Sequence, residues 1–307
     1  MQEKHIIVNY HYVEDPDPER GGIMPFSVYD FERQIEFLSK HYNFATVENV
    51  LKKAVARDTE KVCAITFDDG LKSQFINAVP ILKTFSVPAM FFPITVTFKE
   101  KVPGVHKRHV LSSKVAPCDL IDLFNKYLRD NRPGEVDKYY IPKNRRIDPS
   151  RKLFMSVCAA NFRIGFYAVP PDLEDAFLDY CFLYFKINEK EMANKLFMLP
   201  MEIKALKESD FEIGSHTHTH RPFAILCKNE IREEVKVANS VLFELLGAAP
   251  KILSYPYGSY NTDSIEVLKK EGFAGAVTIE SHELTMESSP YAAPRFDAND
   301  IKKRQTI

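Results

Sequence analysis

Short apolar runs alternate with amphipathic helical stretches at both ends of this 307-residue sequence, and that alternation constrains the fold more than any other feature. HIIVNY (5–10) reads as a strand. A helix follows from Val28 to Lys40, where Ser27 can cap the start and Phe31, Ile35 and Leu38 share a face. Residues 44–47 suit a second strand, and a helix then carries Val50, Leu51 and Val55. The β-rich run 61–66 ends at an Asp-Asp-Gly turn, and a helix over 71–85 leads to a further strand, PAMFFPIT (88–95). The pattern resumes with FEIG (211–214) and a long helix over 229–246, closed by Gly247 and Pro250. ILS (252–254), a helix over 263–271 and a strand over 275–279 complete it. Such a sequence predicts an α/β fold whose parallel strands are joined by right-handed crossovers. A closed barrel and an open sheet both satisfy the periodicity.

From Val96 to Leu206 the alternation stops. Apolar residues fall at helical spacing there (Leu120, Leu123, Phe124, Tyr127, then Leu173, Phe177, Tyr180, Tyr184), with little strand character. The expected organisation is a discontinuous body, 1–98 and 205–307, with a helical insertion or lid over 99–204. Within the insertion Lys138, Lys143, Arg145, Arg146, Arg151 and Lys152 form a basic cluster that suits a substrate phosphate or an anionic membrane surface, if it is not simply a solvated loop.

With 45% hydrophobic and 27% charged residues the chain has ample material for a core, and its net charge of −1 argues against a dedicated nucleic-acid binder. The opening residues have no secretory signal pattern, and no apolar run approaches the roughly 18–20 residues of a membrane span. The five cysteines are scattered, which fits reduced thiols; a cytoplasmic location, with peripheral membrane contact as an option, is the corresponding expectation.

The polar residues fall just past the strands. His11 follows the first, Asp68 and Asp69 follow the ITF run, His216, His218 and His220 follow FEIG, and Tyr255-Pro256-Tyr257-Gly258 follows ILS. Parallel α/β folds collect their chemistry at these strand ends. Two imidazoles and a carboxylate make a three-sided site for a divalent transition metal, and a second carboxylate can serve as base. Spacing alone leaves open which two of the three histidines would ligate.

TFDDG, H-T-x-T-H and Y-P-Y-G, in this order, resemble the polysaccharide deacetylases, the NodB-homology or carbohydrate esterase family 4 enzymes. The likeness is greatest to the branch with an N-terminal "YH" and a "YPYG", which includes exopolysaccharide N-deacetylases. The resemblance covers roughly residues 5–98 and 205–300 and implies an irregular (β/α) barrel. It implies that Asp69, His216 and His220 bind the metal, that Asp68 is the general base, and that His218 is a neighbour. It further implies that the Tyr257 backbone N–H is an oxyanion donor.

Two departures stand out. Where many members open the third motif with arginine, this chain has Ser254, and Arg295 in APRFDAND is the expected substitute for orienting Asp68. The usual late L-x-H is absent, so His11 is the expected general acid, with His282 the weaker alternative. The implied reaction is hydrolysis of an N-acetyl group from an amino sugar in a polysaccharide or its nucleotide- or lipid-linked precursor. Zinc is the expected metal, and iron, cobalt or nickel also suit the donors. The alternatives are a deformylase or other deacylase acting on a lipid-linked sugar, and a carbohydrate-binding relative without turnover.

Overall fold

His5–Tyr10 (β1) and Val62–Asp69 (β3) are buried along their whole length, as expected of parallel strands covered on both faces. A computed structural model describes them together with the rest of residues 3–17, 23–148 and 156–305. Their side chains divide by the two-residue period. Ile6, Val8, Tyr10, Cys63, Ile65 and Phe67 join an outer core with helices Val28–Ser39, Val79–Thr84 and Pro200–Glu208. Ile7, Val62 and Ala64 join a second cluster with Met90, Phe92, Ile252, Val277 and Ala293. That second cluster draws on strands from all round the sheet, which makes it the inside of a ring.

The further strands are Asn43–Phe44 (β2), Ala89–Pro93 (β4), Glu212–Ile213 (β5), Ile252–Ser254 (β6), Gly275–Val277 (β7) and Phe296–Asp297 (β8). Every pairing between these strands is parallel. One sheet runs β5-β4-β3-β1-β8, with β2 pairing the start of β3, and β6 pairs with β7. Single bridges, Ser215 to Leu253 and Val277 to Ala293, join these two sheets into a closed, irregular barrel. Helix Val47–Val55 contributes Val47, Val50 and Ala54 to the inner cluster. Further along the same inward rows the side chains turn polar: Asn9 follows Ile7, Thr66 and Asp68 follow Ala64, and Ser254 follows Ile252. The C-terminal rim of the barrel is therefore where charge can collect.

The strand at 5–10 and the helix capped by Ser27 lie where the sequence predicts them. The chain divides into two compact units, one of Met1–Asp15, Pro25–Lys101 and Lys190–Ile307, the other of Pro16–Met24 and Val102–Glu189. The division differs from the expected 99–204 at its far end. Ile203 and Leu206 pack into the outer barrel core and the Met198 N–H donates to the Gly70 carbonyl at 2.9 Å. Helical spacing reports that a face is buried, not what buries it, so these helices read as part of the insertion.

The second unit is built on helices Gly104–Lys114, Pro117–Asn131, Val157–Gly165 and Pro171–Tyr184. Phe124 sits 4.9 Å from Phe166 and 5.0 Å from Phe177, ring centre to ring centre. A disulfide joins Cys118 to Cys158, which corrects the expectation that all the cysteines are free thiols. No spacing motif links these two; the pairing comes from helix packing. Lys143 of the basic cluster is paired with Asp122 at 2.5 Å, and Arg151 and Lys152 lie outside the described residues. None of the described helices is long and apolar enough to cross a membrane.

Candidate active site

At the end of β3 the backbone turns sharply. Asp69 takes φ 73° and Gly70 φ 70°, and a Cβ on Gly70 would lie 2.9 Å from Pro93. The turn separates the directions of two adjacent carboxylates. Asp68 stays on the inward row, and Asp69 turns toward the histidines. Thr217, His220 and Tyr257 are also left-handed, with φ of 66°, 64° and 59°. Four non-glycine residues in this costly conformation gather at one rim, where packing must hold them.

Asp69 Oδ1 lies 3.3 Å from His216 Nε2 and 3.6 Å from His220 Nε2, and one donor atom from each of the three residues falls within 4.8 Å of the others. All three residues are buried. His216 Nδ1 lies 2.8 Å from the Ser254 carbonyl, which fixes that nitrogen as the donor and turns Nε2 toward Asp69. Burial works against a charged His216, but Asp68 and then Asp69 outweigh it and raise its pKa. Two Nε2 atoms and a carboxylate oxygen converging in a buried site suit a divalent cation such as zinc. His218 faces elsewhere: its Nδ1 meets Thr95 Oγ1 at 2.9 Å.

Asp68 is bound to Arg295 in a two-pronged pair. Nη1 donates to Oδ1 at 2.9 Å and Nη2 to Oδ2 at 2.7 Å. Asn9 Nδ2 adds a third donor to Oδ2 at 3.1 Å. Arg295, 1% exposed, also donates to Asn9 Oδ1, Thr66 Oγ1, the Thr278 carbonyl and Ser254 Oγ. Its guanidinium thus reaches the position where the family pattern would start an arginine. Burial alone would raise the Asp68 pKa, yet Arg295, His216 and His11 hold the carboxyl well below the usual carboxylate range.

His11 is exposed, and its carbonyl accepts from Gln74 Nε2, which also donates to the Asp68 carbonyl. Gln74 opens a short π-helical turn and ties the ends of β1 and β3 together. His282 is exposed on a separate loop with Nε2 3.5 Å from Glu280. The Tyr257 ring meets His220 edge-on at 4.8 Å.

Sequence reasoning missed Asn9, Thr66 and Gln74. The first two are polar side chains inside otherwise apolar buried strands, which is itself a signal for a partnered site.

The family model for polysaccharide deacetylase matches residues 56–115 and 178–276, just over half of the chain. The chain belongs to the polysaccharide deacetylase family. The matched stretches contain Asp68, Asp69, His216, His220 and Tyr257, whereas His11 and Arg295 fall outside them. The poly-beta-1,6-N-acetyl-D-glucosamine N-deacetylase of Staphylococcus epidermidis is 23% identical over 304 residues, covering 95% of this chain and 78% of that protein. Among solved structures, the Streptococcus pyogenes deacetylase PplD in complex with acetate superposes with a TM-score of 0.61 at 15% identity, covering 96% of this deacetylase and 92% of that chain. IcaB from Ammonifex degensii gives 0.60 at 15% identity, covering 99% and 96%. The structural likenesses establish the barrel of this family as the fold, and membership of the family makes this deacetylase a hydrolase of N-acetyl amides.

Proposed function

We propose that this chain removes N-acetyl groups from the amino sugars of a polysaccharide, with Asp69, His216 and His220 holding zinc, Asp68 as general base and His11 as general acid. The observation that carries the reading is a carboxylate locked in its ionised form by Arg295 beside a converging His-His-Asp donor set. A divalent cation held there would act as a Lewis acid on the acetyl carbonyl and acidify water. Iron, cobalt or nickel would serve the same donors.

Asp68 takes the proton of the attacking water. Its depressed pKa makes it a weak base in equilibrium terms, so its value lies in orientation and in being ionised at every working pH. Arg295 and Asn9 fix both oxygens of that carboxylate. The backbone N–H of Tyr257, a residue held in a left-handed turn, serves as a donor for the oxyanion. His11, open to solvent, delivers a proton to the departing amine.

An N-acetylglucosamine polymer is the favoured substrate, as in the Staphylococcus epidermidis relative. The sequence leads to the expectation of a cytoplasmic location and, with it, nucleotide- or lipid-linked precursors. The Cys118–Cys158 disulfide supports an oxidising compartment instead, and with it an assembled polymer. The test is acetate release from N-acetylglucosamine oligomers by the zinc-loaded chain. Asp68→Asn lowers the rate by about 10²–10⁴-fold while leaving zinc bound. A zinc-loaded wild type that binds such oligomers and releases no acetate would instead be a carbohydrate-binding relative.

A further inference from the structure

We infer that Glu234 is a positioning residue for the metal site, acting through the backbone of the histidine loop; the inference rests on the reading of Asp69, His216 and His220 as ligands. Glu234 lies on helix Lys228–Leu246, outside every motif that marks the site in the sequence. Its Oε2 accepts from two successive backbone N–H groups, His218 at 3.0 Å and Thr219 at 2.8 Å, and its Oε1 accepts from the Thr219 hydroxyl. One carboxylate thus takes the donors of two of the three residues that separate the two ligating histidines.

The loop between those histidines needs such a hold. Thr217 and His220 are both left-handed, a conformation that costs a non-glycine residue free energy unless its surroundings impose it. On one side the loop is stitched to the segment after β4: the Thr95 and Val96 N–H groups donate to the Thr217 and His218 carbonyls, and Thr95 Oγ1 meets His218. Within the loop the His220 N–H donates to Thr217 Oγ1 at 3.1 Å. Glu234 supplies the opposite side. Charge-assisted bonds to backbone N–H groups are stronger than neutral ones, and no neutral side chain offers two such acceptor oxygens. Without Glu234 the His218 and Thr219 N–H groups lose their acceptor, the loop keeps its bonds to Thr95 and Val96 but loses the opposing hold, and the His216–His220 distance relaxes. A metal site tolerates little of that, because both imidazoles must stay in place at once.

The experiment measures zinc affinity of the full chain by competition with a chromogenic chelator, alongside the melting temperature of the zinc-free protein. Glu234→Ala weakens zinc binding by about 10–100-fold with little change in apo melting, Glu234→Gln falls between it and wild type, and Thr219→Val shows a smaller loss. Glu233→Ala, at the exposed neighbouring position, binds zinc as wild type does. The inference is overturned if Glu234→Ala binds zinc within about twofold of a tightly binding wild type, or if it lowers apo melting and leaves affinity alone. If Glu234→Ala does not fold, Glu234→Gln and Thr219→Val decide by the same criterion. A wild type without a tight zinc site would bring down the ligand assignment itself, and this inference with it.

Discussion

The barrel unit and the helical unit both bury cations, but they treat them differently. In the barrel Arg295 is sealed off, and every nitrogen of its guanidinium is spent on Asp68 and four other acceptors. In the helical unit Lys107 and Arg108 are also largely buried, yet one partner of Lys107 reaches outward: Asp179 keeps 61% of its side chain exposed. Glu189 also pairs with Lys107, and Glu174 with Arg108. Their stems pack on rings, Lys107 over Phe182 and Arg108 over Phe166. At the rim the Arg295–Asp68 pair is sealed on both sides, cation and carboxylate alike. In the helical unit the stem of Lys107 covers apolar surface while its partner Asp179 keeps a path to water, and a disulfide adds covalent support.

The largest test of this contrast is Arg295→Met. Leaving Asp68 buried without its partner costs about 3–5 kcal/mol of stability in urea unfolding and removes activity. Lys107→Met costs clearly less, because Asp179 can turn to solvent and Glu189 keeps the Val102 N–H as a donor; equal losses would break the comparison. Next in size, Cys118→Ser releases the crosslink across a loop of 40 residues and costs about 2–4 kcal/mol. Hydrogen exchange should locate that loss in residues 117–131 and 157–165, leaving β1 and β3 as protected as before. An equal loss in those strands would mean that the two units share one cooperative core.

A third test uses acid. The folded-state pKa of Asp68 lies below its unfolded value of about 3.9, so its stabilisation is fully present above that value and is lost as pH falls toward the folded pKa. Stability should therefore decline below about pH 4 with a contribution of at most about 1.4 kcal/mol per pH unit from this group, and Asp68→Asn should lack that part of the slope. The smallest effect belongs to Arg132→Ala in the helical unit. Its pair with Asp172 at 2.7 Å is open to solvent, so the urea midpoint should not move measurably at physiological salt.

The parts of the site that sequence made legible are those that lie close together along the chain. Asp68 and Asp69 are adjacent, the histidines fall within five residues, and the short apolar runs before them mark strands by composition alone. Arg295 needed the missing arginine at Ser254 as a hint, because 227 residues separate it from Asp68. Glu234 offered no hint at all: at its position on a helix it reads as a surface carboxylate. Ring closure was equally hidden, since β8 has two residues and two of the joins are single bridges, too short for any periodicity to register. The disulfide is equally invisible in the sequence, because partners on two different helices leave no local pattern.

The span between Asp68 and Arg295 also orders events in time as the chain is made. Strand β3 emerges from the ribosome long before its countercharge does. Until β8 arrives, packing the end of β3 would strand an ionised carboxylate in apolar surroundings, so that end must remain hydrated. Closing the barrel and pairing its buried carboxylate are therefore a single step, and a nascent form that ends before Arg295 has Asp68 without its countercharge.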